Sequence, residues 1–146
     1  MRDILIFGDG QYAKNIFLFI SKEKRYKIKA FVVDRDYYQG EKLFDIPVIP
    51  YEDLGAHFDM ESIGVVIAVG YTNLNQNREE VYNRLKQDNI HIETYIHTDA
   101  NVYSNDIGEG CVITAGAVVE PNSNLGKWVV AWSNTVIAHD STVEDF

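Results

Sequence analysis

Cysteine is nearly absent. One residue of this type, Cys111, stands in 146, so no internal disulfide can form and no cysteine pair is available to hold a metal. Proline is scarce too, at three, and Pro47 and Pro50 fall in one short stretch, where they speak against a long strand. No apolar run approaches the roughly 20 residues that a membrane-spanning helix needs. The opening MRDILIFGDGQYA breaks at glycine too early for a secretory signal. Basic residues are outnumbered, 13 Lys and Arg against 22 Asp and Glu. The formal charge of -9 argues against a nucleic-acid partner, which would need a basic face. Cytoplasm is the default location. What is plentiful is hydrophobic sequence, 46% of the chain, beside 24% charged residues. That is the composition of one ordinary globular domain or of two small units.

Two grammars share the chain. From Ile4 to about Ile96, strand-like and helix-like segments alternate. ILIF (Ile4 to Phe7) ends at Gly8, and the next segment puts Tyr12, Ala13, Ile16, Phe17 and Ile20 on one helical face. KIKAFVVD reads as a second strand, and IPVIPYEDL as a loop with a short element. VVIAVG reads as a buried parallel strand. Asn75 to Asn89 predicts a helix with Leu74, Val81, Tyr82 and Leu85 facing inward, and HIETYI a last short strand. This order predicts a small Rossmann-like α/β unit with a mostly parallel sheet, over residues 1–97.

Over residues 98–146 a period of six replaces the helical one. The hexads IGEGCV, ITAGAV, VEPNSN, LGKWVV, AWSNTV, IAHDST and an incomplete VEDF begin on Ile107, Ile113, Val119, Leu125, Ala131, Ile137 and Val143. Six residues per side and three sides per coil make a prism with aliphatic ladders inside, the first coils of a left-handed parallel β-helix. An antiparallel sandwich also alternates with period two, but seven successive first-position aliphatics favour the coil. Only about two coils are present and the chain stops within a hexad, so it reads as the N-terminal fragment of a longer protein.

Three groups of residues invite chemistry. Gly8-Asp9-Gly10-Gln11-Tyr12-Ala13 follows a strand and opens a helix, in the G-x-G-x-x-[GA] pattern. There a tight turn lets phosphate oxygens approach backbone N–H groups at a helix N-terminus. Asp34, ending the second strand, is placed to accept from a ribose hydroxyl or a base edge. Taken directly the motif reads as NAD binding, although the α/β half is about one mononucleotide unit long. Glycine used for close helix–strand packing is the plainer alternative. Gly70-Tyr71-Thr72-Asn73 follows the third core strand and should border the same pocket, Tyr71 stacking on a ring and Asn73 hydrogen-bonding polar edges. Arg78 is a candidate phosphate contact or, equally, a solvated helix residue. Finally, His139 is followed by Asp140. An imidazole can act as general base at neutral pH, and an adjacent carboxylate can hold its tautomer. An exposed turn pair is the alternative on spacing alone.

The remaining candidates are weaker. His57, His91 and His97 are scattered and lie outside the clear repeat, which makes a zinc site improbable. Cys111, fifth in its hexad, reads as packing. Trp128 and Trp132 are candidates for a subunit-facing or acceptor-facing surface, or for ordinary coverage of the prism.

Taken together, IFGDGQYAKNI, VVIAVGYTNLNQNR and the stretch from IGEGCV to STVEDF resemble the sialic acid O-acetyltransferase-like sugar acyltransferases of the hexapeptide superfamily. The resemblance covers essentially the whole chain, and its specific part is the His followed by an acid in I-x-H-[DE]-x-x-[VI]-x-[DE]-F. It implies transfer of an acetyl group from acetyl-CoA to an amine or hydroxyl of a nucleotide-linked sugar, in bacterial surface-glycan biosynthesis. It further implies a homotrimer, His139 as the base with Asp140 as its partner, and a glycine-motif pocket holding the nucleotide of the sugar. Most of the acetyl-CoA site would fall beyond residue 146. A non-catalytic nucleotide-sugar binding module is the alternative, and a dinucleotide-dependent oxidoreductase fragment a weaker third.

Overall fold

A computed structural model describes residues 1–40, 42–71 and 73–146. The chain divides into two compact units, Met1–Ile92 and Glu93–Phe146.

In the first unit, β1 (Arg2–Phe7), α1 (Gln11–Lys22), β2 (Tyr26–Val33), β3 (Lys42–Leu43), β4 (Ile46–Pro50), α2 (Leu54–His57), β5 (Gly64–Ile67), α3 (Gln76–Gln87) and β6 (His91–Ile92) follow one another. They form a six-stranded sheet in the order β3-β4-β2-β1-β5-β6, parallel except at the β3–β4 pair. Ile4, Leu5 and Ile6 of β1 and Val65, Val66 and Ile67 of β5 have no exposed surface. Their near-continuous apolar runs are what strands covered on both faces require. Burying each large aliphatic contributes about 1.5–3 kcal/mol. Helix α1 buries Ala13, Ile16 and Ile20, one face of a 3.6-residue period. β2 and β5 flank β1 on opposite sides, so successive connections leave β1 in opposite directions and open a crevice at the carboxyl ends of the strands.

Two expectations need correction and one is sharpened: the short element of IPVIPYEDL is a five-residue strand, β4, which pairs with β2 through Val48, Ile49 and Pro50. Proline deletes one ladder donor but does not forbid extended backbone, and a pairing this short tolerates the loss. HIETYI is two strands rather than one: His91–Ile92 closes the sheet, and Tyr95–Ile96 begins the second unit. Leu74 does not face inward. Asn73, Leu74 and Asn75 all have positive φ, the helix starts only at Gln76, and Leu74 is 93% exposed.

The second unit is a prism of two-residue strands in three parallel sheets. They are Tyr95–Ile96, Val112–Ile113 and Val130–Ala131; Asn101–Val102, Val118–Val119 and Val136–Ile137; and Asp106–Ile107, Asn124–Leu125 and Thr142–Val143. Val112 pairs with Val130, Val118 with Val136 and Asn124 with Thr142, a constant advance of three hexads per coil. Inside, the first-position ladder of Ile113, Val119, Leu125 and Ala131 meets a fifth-position ladder of Cys111, Ala117 and Val129. Gly108 is demanded by stacking, because a Cβ there would lie 2.3 Å from the carbonyl oxygen of Gly126. Cys111 is fully buried, its Sγ 3.1 Å from the Gly126 carbonyl, and burial pushes its thiol up to about 11. Packing is its role. Trp128 is fully buried as well and is no subunit-facing surface, whereas Trp132 is 41% exposed.

Candidate functional site

The first unit holds a cavity of about 660 Å³ at the carboxyl ends of its strands, a size suited to a small-molecule ligand. Its floor is the glycine motif. Gly8 lies at φ +121°, and a Cβ there would fall 2.5 Å from the carbonyl oxygen of Ala68, so both conformation and space require glycine. The Gly8 N–H is already committed to the Val32 carbonyl at 2.8 Å. The donors left for an anion are those of the first turn of α1, which Gly10 caps from an extended conformation. Nothing lies within 4 Å of a Cβ built on Gly10, which lines the cavity.

Gly8, Asp9, Gly10, Gln11, Tyr12, Asp34 and Gly70 all line this one cavity. Tyr71 and Asn73 do not. Tyr71 is 80% exposed, and the Asn73 amide donates to the Gln76 side chain at 2.9 Å. Thr72 lies outside the described residues. The Tyr12 phenol is held well above its ordinary range by burial, against the pull of Arg78.

Arg78 is not in the cavity wall. It is buried, donates from Nε to the Val69 carbonyl at 3.1 Å, and lies 5.9 Å from the Tyr12 and Tyr71 rings. Its guanidinium braces the loop after β5. The cation that does face the cavity is Arg84, two turns further along α3. Arg84 Nη2 lies 2.6 Å from Asp34 Oδ1. Its guanidinium carbon sits 4.3 Å from the Tyr51 ring centre and 5.4 Å from that of Phe7. Tyr51 in turn donates its hydroxyl to Asp88. Asp34 therefore presents a carboxylate already shared with a cation, and Arg84 is a guanidinium packed against two adjacent rings. Together they offer an acceptor and a donor side by side, suited to a base edge or ribose. Sequence reasoning missed Arg84, Tyr37, Asn77 and Glu80 of the wall. Helical phase held the signal: Asn77, the adjacent Glu80 and Val81, and Arg84 stand at i, i+3/i+4 and i+7 and share a face.

In the second unit, His139 Nδ1 lies 2.8 Å from Asp140 Oδ2. A carboxylate can only accept, so Nδ1 carries the hydrogen, and in the neutral ring Nε2 is left with a free lone pair. Asp140 sits at φ 56°, a left-handed corner that turns its side chain back along the ring. The hydrogen bond and charge of Asp140, with a lesser contribution from Glu120, raise the His139 pKa above its ordinary value. The His139 hydrogen bond correspondingly lowers that of Asp140. Both side chains are exposed, His139 by 71%. Among the described residues no group of three or more His, Cys, Asp or Glu is placed to hold a metal ion, and no helix is long and apolar enough to cross a membrane.

A mononucleotide-sized α/β unit followed by hexapeptide coils defines the class of protein. The chain belongs to the family of the PglD N-terminal domain, which it matches over residues 3–85. Its fold is that of several solved structures, acetyltransferases among them. The acetyltransferase domain of PglB from Neisseria gonorrhoeae FA1090 superposes with a TM-score of 0.82 at 26% identity, over 99% of this chain and 69% of that one. A histidine-to-asparagine mutant of perosamine N-acetyltransferase from Caulobacter crescentus, in complex with CoA and GDP-perosamine, gives 0.78 at 19%, over 99% and 66%. WeeI from Acinetobacter baumannii AYE gives 0.80 at 21%, over 99% and 68%. The chain thus spans about two thirds of the length of these relatives. A search of curated proteins gives no match.

Proposed function

We propose that this chain recognises a nucleotide-linked sugar and supplies the general base of an acetyltransferase that uses acetyl-CoA. The cavity at the strand ends takes the nucleotide. Phosphate oxygens are met by the first-turn N–H groups of α1, and base or ribose by Asp34 and Arg84. His139 Nε2 removes a proton from the sugar's amine or hydroxyl as that atom attacks the thioester carbonyl. The imidazolium, stabilised by Asp140, then returns the proton to the departing thiolate of coenzyme A. The observation that carries this reading is the His139–Asp140 pair at 2.8 Å, whose carboxylate favours the neutral tautomer that leaves Nε2 without a hydrogen.

The family and the acetyltransferase neighbours, one of them holding CoA and GDP-perosamine, support the same chemistry. A NAD-dependent reaction has no such support from the family or the neighbours. The reading extends to a homotrimer, to surface-polysaccharide biosynthesis and to the cytoplasm. No nucleic-acid role is included, in keeping with the charge of -9.

The test is a titration with UDP-, dTDP-, GDP- and CMP-sugars, read as a thermal shift, followed by an acetyl-transfer assay on the full-length enzyme with the sugar that binds. A ligand that binds the native state alone stabilises it by mass action. Stabilisation by NAD and by no nucleotide-sugar overturns the reading. Binding without any acetyl transfer leaves the non-catalytic binding module in its place.

A further inference from the structure

The turn one coil before the dyad is wired to it. Glu120 Oε2 accepts the backbone N–H of His139 at 2.8 Å, and the Glu120 N–H donates to the Ile137 carbonyl at 2.9 Å. The Asp140 N–H is directed at the Pro121 carbonyl at 3.4 Å, and the Asn122 side chain hydrogen-bonds the Asp140 carboxylate. Asn122 and Asp140 occupy equivalent corners of successive coils, both left-handed, at φ 59° and 56°. Three consecutive residues, Glu120-Pro121-Asn122, therefore each grip one part of His139-Asp140. The contact from Glu120 is of another kind than regular ladder pairing: a charged side chain replaces a backbone carbonyl as the acceptor, directly beneath the base. A carboxylate accepting from a backbone N–H makes a stronger and shorter bond than a neutral acceptor.

We propose that Glu120 is a positioning residue for His139, its carboxylate fixing the backbone of the base from the preceding coil. The proposal rests on the reading of His139 as that base. The titratable groups acting on the ring are Asp140 on its own turn and Glu120 from the coil before. Both are carboxylates, and both favour the imidazolium. Glu120 thus acts in two separable ways: its oxygen holds the main chain of His139, and its charge adds to the larger effect of Asp140 in favouring the imidazolium.

Two variants separate these effects. Glu120→Gln keeps a carbonyl oxygen to accept the His139 N–H but removes the charge. It is expected to lower the midpoint of the His139 imidazole titration, followed by NMR in this chain. In the full-length enzyme the acid limb of kcat/KM should move to lower pH, with the alkaline plateau little changed. Glu120→Ala removes the acceptor as well and is expected to lower the plateau of kcat by up to about 10²-fold, the scale of a misplaced catalytic group. The KM for the nucleotide-sugar should stay unchanged. An inactive His139→Ala enzyme beside a Glu120→Ala enzyme with wild-type plateau and pH profile overturns the role of Glu120 alone. A fully active His139→Ala enzyme overturns the base assignment, and this proposal with it.

Discussion

The two units solve the same problem of burying apolar surface with opposite sequence logic. In the first, the cavity wall is gathered from points far apart in the chain: Gly8 and Gly10 after β1, Asp34 after β2, Gly70 after β5, Arg84 within α3. No local spacing joins Asp34 to Arg84, fifty residues on; the sheet order does, by placing β2 and β5 on either side of β1. In the second unit every long-range pair is a near-constant step along the chain, so a contact such as His139 with Glu120 is one coil of a repeating count. A pocket in an open sheet is a property of topology. A site on a solenoid is a property of the period. The consequence for mutation is asymmetric. Changes to the pocket should alter ligand binding and leave the base chemistry intact, and changes to the dyad should do the reverse.

The largest test of that separation is His139→Ala in the full-length enzyme. Acetyl transfer should fall by about 10²–10⁴-fold, the usual contribution of a positioned general base. Nucleotide-sugar affinity, measured by the same thermal shift, should be unchanged, since the cavity is lined wholly by residues of the first unit. A large loss of affinity would break the comparison outright.

The reverse experiment is Gly10→Val. Gly10 has ordinary backbone angles and open space around it, so a valine is accommodated by the fold and occupies the volume that phosphate oxygens need. Ligand stabilisation, about 2.7 kcal/mol at a hundredfold excess over Kd, should disappear, while the unliganded melting temperature changes little. A sharper version compares two arginines of the same helix. Arg84→Gln should weaken nucleotide-sugar binding about tenfold, the cost of one hydrogen bond to a charged group. Arg78→Gln should act mainly on stability, because its guanidinium, not itself part of the cavity wall, braces the carbonyl of the lining residue Val69. Equal binding losses in both variants would show that α3 contributes as a whole and not through its cavity-facing side.

Why Arg84 escaped the sequence, while the glycine motif and the His–Asp pair did not, follows from the same contrast. Gly8 carries its own signal, since a residue at φ +121° pressed against a carbonyl is glycine by necessity. The hexad ladder carries another, and Ile113, Val119, Leu125 and Ala131 are buried as their first positions imply. Arg78 and Arg84 have no such mark. Which of two arginines faces a cavity depends on the rotational phase of α3, and that phase depends on where the helix starts. The left-handed run Asn73-Leu74-Asn75 delays the start to Gln76 and turns Leu74 outward. The split of HIETYI was hidden for a similar reason, because alternation persists across the junction while the pairing partner changes from β5 to the first coil.

The finest test concerns proton affinity within the dyad. The Asp140 hydrogen bond, followed by its charge and that of Glu120, raises the His139 pKa above the ordinary imidazole value near about 6.5. A raised value keeps the base protonated, and so inactive, to a higher pH. The acid limb of kcat/KM should accordingly lie above that of an unperturbed imidazole. Asp140→Asn is a clean probe because asparagine tolerates the left-handed corner that Asp140 occupies at φ 56°. The amide oxygen can still accept from Nδ1–H, so the tautomer is retained and the charge alone is lost. The His139 midpoint should fall and the acid limb should move to lower pH. The plateau rate should drop by less than in His139→Ala, because an imidazolium without its carboxylate is a weaker partner to the developing charge. Nucleotide-sugar binding should not respond at any pH. An acid limb that stays fixed in Asp140→Asn would mean that the group titrating in kcat/KM is not His139, and the pH profile would then have to be assigned to the pocket rather than to the prism.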